Sequence, residues 1–375
     1  MRSLVALLVS GIVLAGRADG RLPADRAQMY LAETLDAQGS LLTALPLYQT
    51  RAGQSPTKAN RLRYAGALMR AGRGAEAKAV YAQVCATPES ADVGAADRAR
   101  IAAVCASNLL GNGFPEAALE YIGAGAGEEP GEPALVLLRC RALLAAGQTA
   151  AARPILAAVR HAAERGAVGM RLELARAYIL SGDPSAGRAL LDGAIEESVG
   201  QMFRASILSD LAMANGEWVA AANSLADAEH KVPPVLDRKR VDRAWQNVQR
   251  ELRAAQLRKA ISLWKIGDRR QAAGAATRAR ESDQEFVRSA ATLLLVAADM
   301  SAGHPVAPRL DVLAGHDRRF AAPVLRVEHV VARASDARGA LSELIAVLDS
   351  QDRSQAVVTS PLLAILMEAA QRSVR

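Results

Sequence analysis

Five histidines (His161, His230, His304, His316 and His329) lie scattered along the 375 residues, with no HExxH and no Glu-x-x-His pair among them. The three cysteines, Cys85, Cys105 and Cys140, have no CxxC spacing, so neither a zinc site nor a dithiol redox pair is indicated. No Gly-x-Ser-x-Gly elbow presents a nucleophilic serine, and no Gly-Lys-Ser/Thr loop offers a phosphate cradle. Gly123-Ala124-Gly125 follows no strand and lacks the later glycine of the dinucleotide pattern, so it reads as a flexible loop. Carboxylates are abundant, but sequence spacing alone cannot pair them across a cleft for glycoside chemistry. We therefore expect no catalytic residues, no metal and no cofactor.

One charged segment stands out. Between Asp237 and Ala260 eight basic residues face three acidic ones, and Trp245 lies among them. Arg238, Lys239, Arg240, Arg243, Arg250 and Arg253 could dock an acidic or phosphate-bearing partner. The plainer reading is a solvated helix face whose arginine stems cover apolar surface, because Asp237, Asp242 and Glu251 interrupt the run.

The composition says what kind of element positions these residues. Half of the chain is apolar (51%) but only 3% is aromatic, and alanine leads the apolar share. Small side chains let helices pack closely, and the same mix suits strands poorly. The net charge of +7 comes from 46 basic residues, of which only six are lysine, spread along the chain and mostly interleaved with acids. That distribution and the few aromatics weigh against a nucleic-acid partner.

The N-terminus is distinct. Arg2 precedes an uncharged run from Ser3 to Gly16, followed by small residues. This is the layout of a secretory signal peptide over residues 1–20, with a mature chain expected to start at Asp19 or Arg21. The run is short for a transmembrane helix, though an uncleaved anchor is the lesser alternative. No cysteine follows it, so we expect a periplasmic or secreted protein that is not a lipoprotein.

The remainder repeats. Gly39, Gly72, Asn112, Gly147, Gly182, Gly216, Gly267 and Gly303 recur at spacings of 33, 40, 35, 35, 34, 51 and 36. Seven residues before the turn stand Ala32, Ala65, Cys105, Cys140, Ala175, Ser209 and Ala260. Five after it stand Ala44, Ala77, Ala117, Ala152, Gly187, Ala221 and Ala272; nine after it come Tyr48, Tyr81, Tyr121, Leu156, Leu191 and Leu225. Small residues meet where two helices cross, a large one fills the gap to the next hairpin, and glycine suits the left-handed helix end.

The pattern resembles the tetratricopeptide repeat, most clearly in Leu31–Pro56 and Tyr64–Pro88, each with the small residue, Leu, Gly, Ala, Tyr and closing Pro in order. It departs from the family in lacking the early Trp, in Asn112 at one turn and in Pro308 where Ala belongs. The resemblance implies an all-α solenoid of stacked helical hairpins, a right-handed superhelix that becomes degenerate toward the C-terminus. We expect an N-terminal array over residues 21–233. After the breaker Pro233-Pro234, residues 234–375 should carry an extra basic helix, Leu236–Arg250, and the degenerate repeats.

In this family the first helix of each hairpin lines a concave groove. Carried over by position, the groove residues include Arg70, Arg141, Leu144, Arg176, Ile179 and Leu180, and continue with Met213, Ile261 and Trp264. The resemblance thus implies a protein or peptide partner in an apolar groove, with Arg141 and Arg176 gripping one of its carboxylates together. The Lys/Asn set by which chaperone-binding members hold a terminal carboxylate is missing. We read an exported scaffold for an envelope machine such as a pilus, a secretion apparatus or polysaccharide export. Alternatives are a transglycosylase-like helical superhelix, active or remnant, and a binder of an acidic polymer through the basic helix. Cys85 should end a second helix that packs beside Cys105; three buried thiols are the favoured reading, with a Cys85–Cys105 bridge as the alternative.

Overall fold

The computed structural model describes residues 24–85, 95–126, 133–164, 168–191, 198–231, 243–332 and 337–373. Among them there are helices and no strands. The signal-peptide segment and residues 236–242 lie outside the described residues. Seven hairpins follow one another: α1 (Ala24–Ala37) with α2 (Leu41–Gln54), α3 (Lys58–Arg70) with α4 (Gly74–Cys85), α5 (Ala95–Gly111) with α6 (Pro115–Ala126), and α7 (Pro133–Ala145) with α8 (Thr149–Glu164). Then come α9 (Val168–Leu180) with α10 (Pro184–Leu191), α11 (Ser198–Ala214) with α12 (Trp218–Lys231), and α13 (Arg243–Lys265) with α14 (Arg269–Ala279). The chain closes with α15 (Glu285–Ser301), α16 (Ala307–His316), α17 (Ala321–Ala332), α18 (Arg338–Gln351) and α19 (Ala356–Ser373); a short 3-10 turn, Arg353–Gln355, joins the last two. This is an all-α solenoid of stacked hairpins.

The turns show how the sequence writes a hairpin. At Gly267 the φ is 95°. Its amide donates to Trp264 O (3.0 Å), and the next amide, Asp268, donates back to Leu263 O (2.9 Å), closing the first helix in a Schellman motif. Asp268 then turns its carboxylate onto the Gln271 amide and starts the second helix. Gly182-Asp183 repeats the arrangement.

One turn corrects the sequence register. The left-handed residue of the third hairpin is Gly113 (φ 75°), not Asn112. Every companion position therefore moves on by one: Ala118 and Ile122 fill the buried places expected for Ala117 and Tyr121, and Ala106 takes the register position of Cys105, which is buried beside it. Asn112 instead sits at the end of α5, its side-chain amide donating to Asn108 O.

Two compact units emerge, and their border is not at residue 234. One contains residues 24–85 with Leu310–Leu325; the other runs from residue 95 to Arg309 and resumes at Arg326. The extra helix expected at Leu236–Arg250 is not separate: residues 243–250 are the first turns of the 23-residue α13, which packs on α12.

In the first unit, the turn before α16's end meets the first hairpin closely. A Cβ on Gly315 would fall on the Gly39 carbonyl group, and one on Gly39 would stand 2.7 Å from Val312 backbone. Beneath it lies a buried polar cluster. Both Nη atoms of Arg70 donate to Asp36 (2.8 and 2.6 Å), and the Tyr48 hydroxyl donates to the same carboxylate at 3.2 Å.

In the second unit, the first helices α5, α7, α9, α11, α13 and α15 touch in succession and form one continuous layer. Helix α19 lies against α11, α13 and α15, burying Leu362, Ile365, Leu366 and Ala369. The 3-10 turn before it reaches α7.

Candidate functional site

The layer of first helices and the C-terminal segment line a half-open cavity of about 600 Å³ in the second unit. That volume lies within the range of ligand pockets. Helix α7 contributes Leu138, Arg141 and Leu144; α9 contributes Leu172, Glu173, Arg176 and Leu180. Phe203 of α11, Leu257 of α13, Phe286 and Val287 of α15 and Val358 of α19 extend the apolar lining. Four of the groove residues expected from the sequence, Arg141, Leu144, Arg176 and Leu180, thus meet around one space.

The other five do not line it. Arg70 is corrected to a buried structural residue of the first unit, since its guanidinium is committed to Asp36. Ile179 packs over Gly187, where a Cβ would meet its Cγ1, so it belongs to the hairpin interface. Met213 and Ile261 are buried in the core, as is Trp264, whose indole carries the Arg269 guanidinium 5.5 Å from its centroid.

Charge pairing decides what the cavity can offer. Both Nη atoms of Arg176 hold the Glu251 carboxylate, and Nη2 also reaches Ser206 Oγ at 3.3 Å. Burial alone would push the Glu251 carboxyl up, but the Arg176 charge and hydrogen bond, with Arg258 and Ser206, hold it well below the usual carboxylate range. Arg258 pairs with the buried Asp210, and Arg250 donates to Asp283 at 2.8 Å. The two-arginine grip expected from Arg141 and Arg176 is therefore corrected: Glu251, from the chain itself, occupies Arg176.

Arg141 differs. Its side chain is 49% exposed, and its acidic neighbour, Glu173, stands 3.7 Å away, beyond hydrogen-bond reach. Opposite, Asp352 accepts from the Ser354 amide (3.1 Å) and hydroxyl (2.5 Å). Burial raises its carboxyl, against those hydrogen bonds and the Arg141 charge.

The basic stretch is largely spent in pairing where it is described. Arg250 and Arg253 reach Asp283 and Glu281, while Glu251 and Arg258 face the cavity. The Arg243 side chain and residues Arg238, Lys239 and Arg240 lie outside the described residues. Sequence reasoning missed Glu251 and Arg258. Their spacing of seven, which puts them on one face of a helix, was the available signal. It also missed Gln351, Asp352, Ser354 and Gln355, for which no local signal existed.

Cys140 is a buried free thiol, pushed up to about 11 by burial. Cys85 and Cys105 are both disulfide-bonded, which corrects the reading of three thiols. Among the described residues no group of His, Cys, Asp and Glu could hold a metal ion, and no helix is long and apolar enough to cross a membrane. Comparison of the sequence with protein-family models and with curated proteins finds no match.

Proposed function

We propose that this chain is an exported, tetratricopeptide-like scaffold that works by binding and takes a segment of a protein partner of the cell envelope into the cavity of its second unit. The observation that carries this reading is Arg141. It is the cavity cation with hydrogen-bonding capacity to spare, whereas Arg176, Arg250 and Arg258 are held by the chain's own carboxylates. Arg141 would receive a carboxylate of the partner, while Leu138, Leu144, Leu172, Leu180 and Phe203 supply apolar contact area. Export is supported by the N-terminal apolar run and by the oxidised cysteines, which suit an oxidising compartment. Assembly of an envelope machine is the role that such a scaffold fits.

The test starts with a partner captured from periplasm and then purified. Loss of a charge-assisted hydrogen bond by Arg141→Ala should weaken its binding by about tenfold or more. Arg141→Lys should restore part of that loss, and Arg253→Ala should change it less than about twofold. Binding that survives Arg141→Ala but fails on charge reversal at Arg250 and Arg253 would move the site to the basic helix and favour an acidic polymer.

A further inference from the structure

Two charged side chains of the cavity stand apart from the others. Arg176, Arg250 and Arg258 are matched by Glu251, Asp283 and Asp210 of the chain itself. Arg141 of α7 and Glu173 of α9 line the same space, but Arg141 Nε and Glu173 Oε2 are 3.7 Å apart and the side chains are 49% and 35% exposed. At that separation and exposure their attraction is weak and no hydrogen bond joins them. Among the described residues no hydrogen bond ties either side chain elsewhere. Side by side on neighbouring helices, they present one cation and one anion to whatever enters.

The balance of charge selects the ligand. A group with a carboxylate alone would meet Arg141 but would also face Glu173, with Asp352 opposite, and like charges brought together oppose binding. A group with an ammonium alone would meet Glu173 against the Arg141 charge. A group that carries both on one carbon atom can pair with each side chain and brings no net charge into the cavity. Its body would lie against Leu138, Leu144, Leu172 and Phe203. The volume of about 600 Å³ suits a small ligand, and an apolar lining with a few placed polar groups is the usual make-up of such sites.

We propose that the cavity binds a small zwitterion with an apolar body, the class of the aliphatic and aromatic α-amino acids, with Arg141 on its carboxylate and Glu173 on its ammonium. This rests on the reading of Arg141 as the receptive cation of the cavity. It goes beyond that reading in giving Glu173 a role and the cavity a ligand that needs no protein partner.

Equilibrium dialysis of the purified chain against L-leucine and L-phenylalanine should give a dissociation constant of about 1 mM or below for at least one of them, as expected for ligands of this size. Two analogues then separate the charges. 4-Methylpentanoate keeps the carboxylate alone and L-leucinamide the ammonium alone, and each should bind about tenfold or more weakly than L-leucine. Glu173→Gln should remove the difference between L-leucine and 4-methylpentanoate, and Arg141→Gln that between L-leucine and L-leucinamide. Glu343→Gln, which breaks an exposed ion pair away from the cavity, should change neither. The proposal is overturned if neither amino acid binds at about 10 mM, or if 4-methylpentanoate binds the parent chain as well as L-leucine does. It is equally overturned if Glu173→Gln leaves the discrimination intact. The comparison of analogues on the parent chain depends on no variant. The partner reading fails separately, when a captured partner ignores Arg141→Ala; a partner that needs Arg141, on a chain that binds neither amino acid, overturns this inference alone.

Discussion

The Arg176–Glu251 pair gives the sharpest quantitative test of the site geometry. Its side chains are 17% and 7% exposed, so each charge depends on the other for solvation. Breaking a buried pair by removing one partner typically costs about 3–5 kcal/mol, because the survivor is left buried and uncompensated. The structure places the cost at the lower end. Without Glu251, Arg176 keeps Ser206 and has Asp210 at 3.9 Å; without Arg176, Glu251 keeps Ser206 and the charge of Arg258. Each of Glu251→Leu and Arg176→Met should therefore cost about 3 kcal/mol. For a unit of this size that lowers the melting temperature by roughly 6–9 °C. The double variant places two apolar side chains in contact and should melt within about 3 °C of the parent, since hydrophobic replacement of a whole buried pair is often neutral. Circular dichroism melts of the four proteins close the cycle, with a coupling of about 5 kcal/mol. Single variants that melt like the parent, or a double variant whose loss is the sum of the singles, would refute the pairing.

Three more outcomes follow from the same reasoning. The folded-state carboxyl of Glu251 lies below its unfolded value, so its stabilisation is present above about pH 4.3 and is lost as pH falls from there through the folded value. Glu251→Gln should flatten the denaturant-midpoint profile in that acid window, and an unchanged slope would contradict the assignment. Gly315→Ala forces a methyl onto the Gly39 carbonyl and should destabilise the first unit by about 1–3 kcal/mol, read as a lower guanidinium midpoint; a neutral result would mean that the two turns are not in contact. Finally, denatured protein alkylated without reductant should carry one label, on Cys140, and three after reduction. Three labels without reductant would remove the disulfide, whose expected Cys85–Cys105 loop contributes about 3 kcal/mol.

The sequence by itself determined the helical hairpin and its period, because each turn needs only local chemistry. A left-handed glycine, an aspartate cap and a small residue at the helix crossing act within a dozen residues of one another, as at Gly182-Asp183 with Ala175 and Gly187. Local chemistry failed at Asn112-Gly113, where both residues tolerate the left-handed conformation. Packing chose between them, since only the later register buries Ala118 and Ile122. The sequence likewise placed Arg70, Arg141 and Arg176 on first helices, Arg141 and Arg176 at one repeat position and Arg70 four residues further along, with no sign of which would be paired. Only the tertiary structure told them apart, through carboxylates 34 residues from Arg70 and 75 residues from Arg176. A buried arginine takes whichever acid the stacking brings within reach, because its desolvated charge must be met. Arg141 found none closer than Glu173 at 3.7 Å, beyond a hydrogen bond. The placing of Asp352, Ser354 and Gln355 beside the cavity belongs to the same class, since a contact spanning 207 residues, such as Arg353 on Ala146, leaves no periodic trace in the chain.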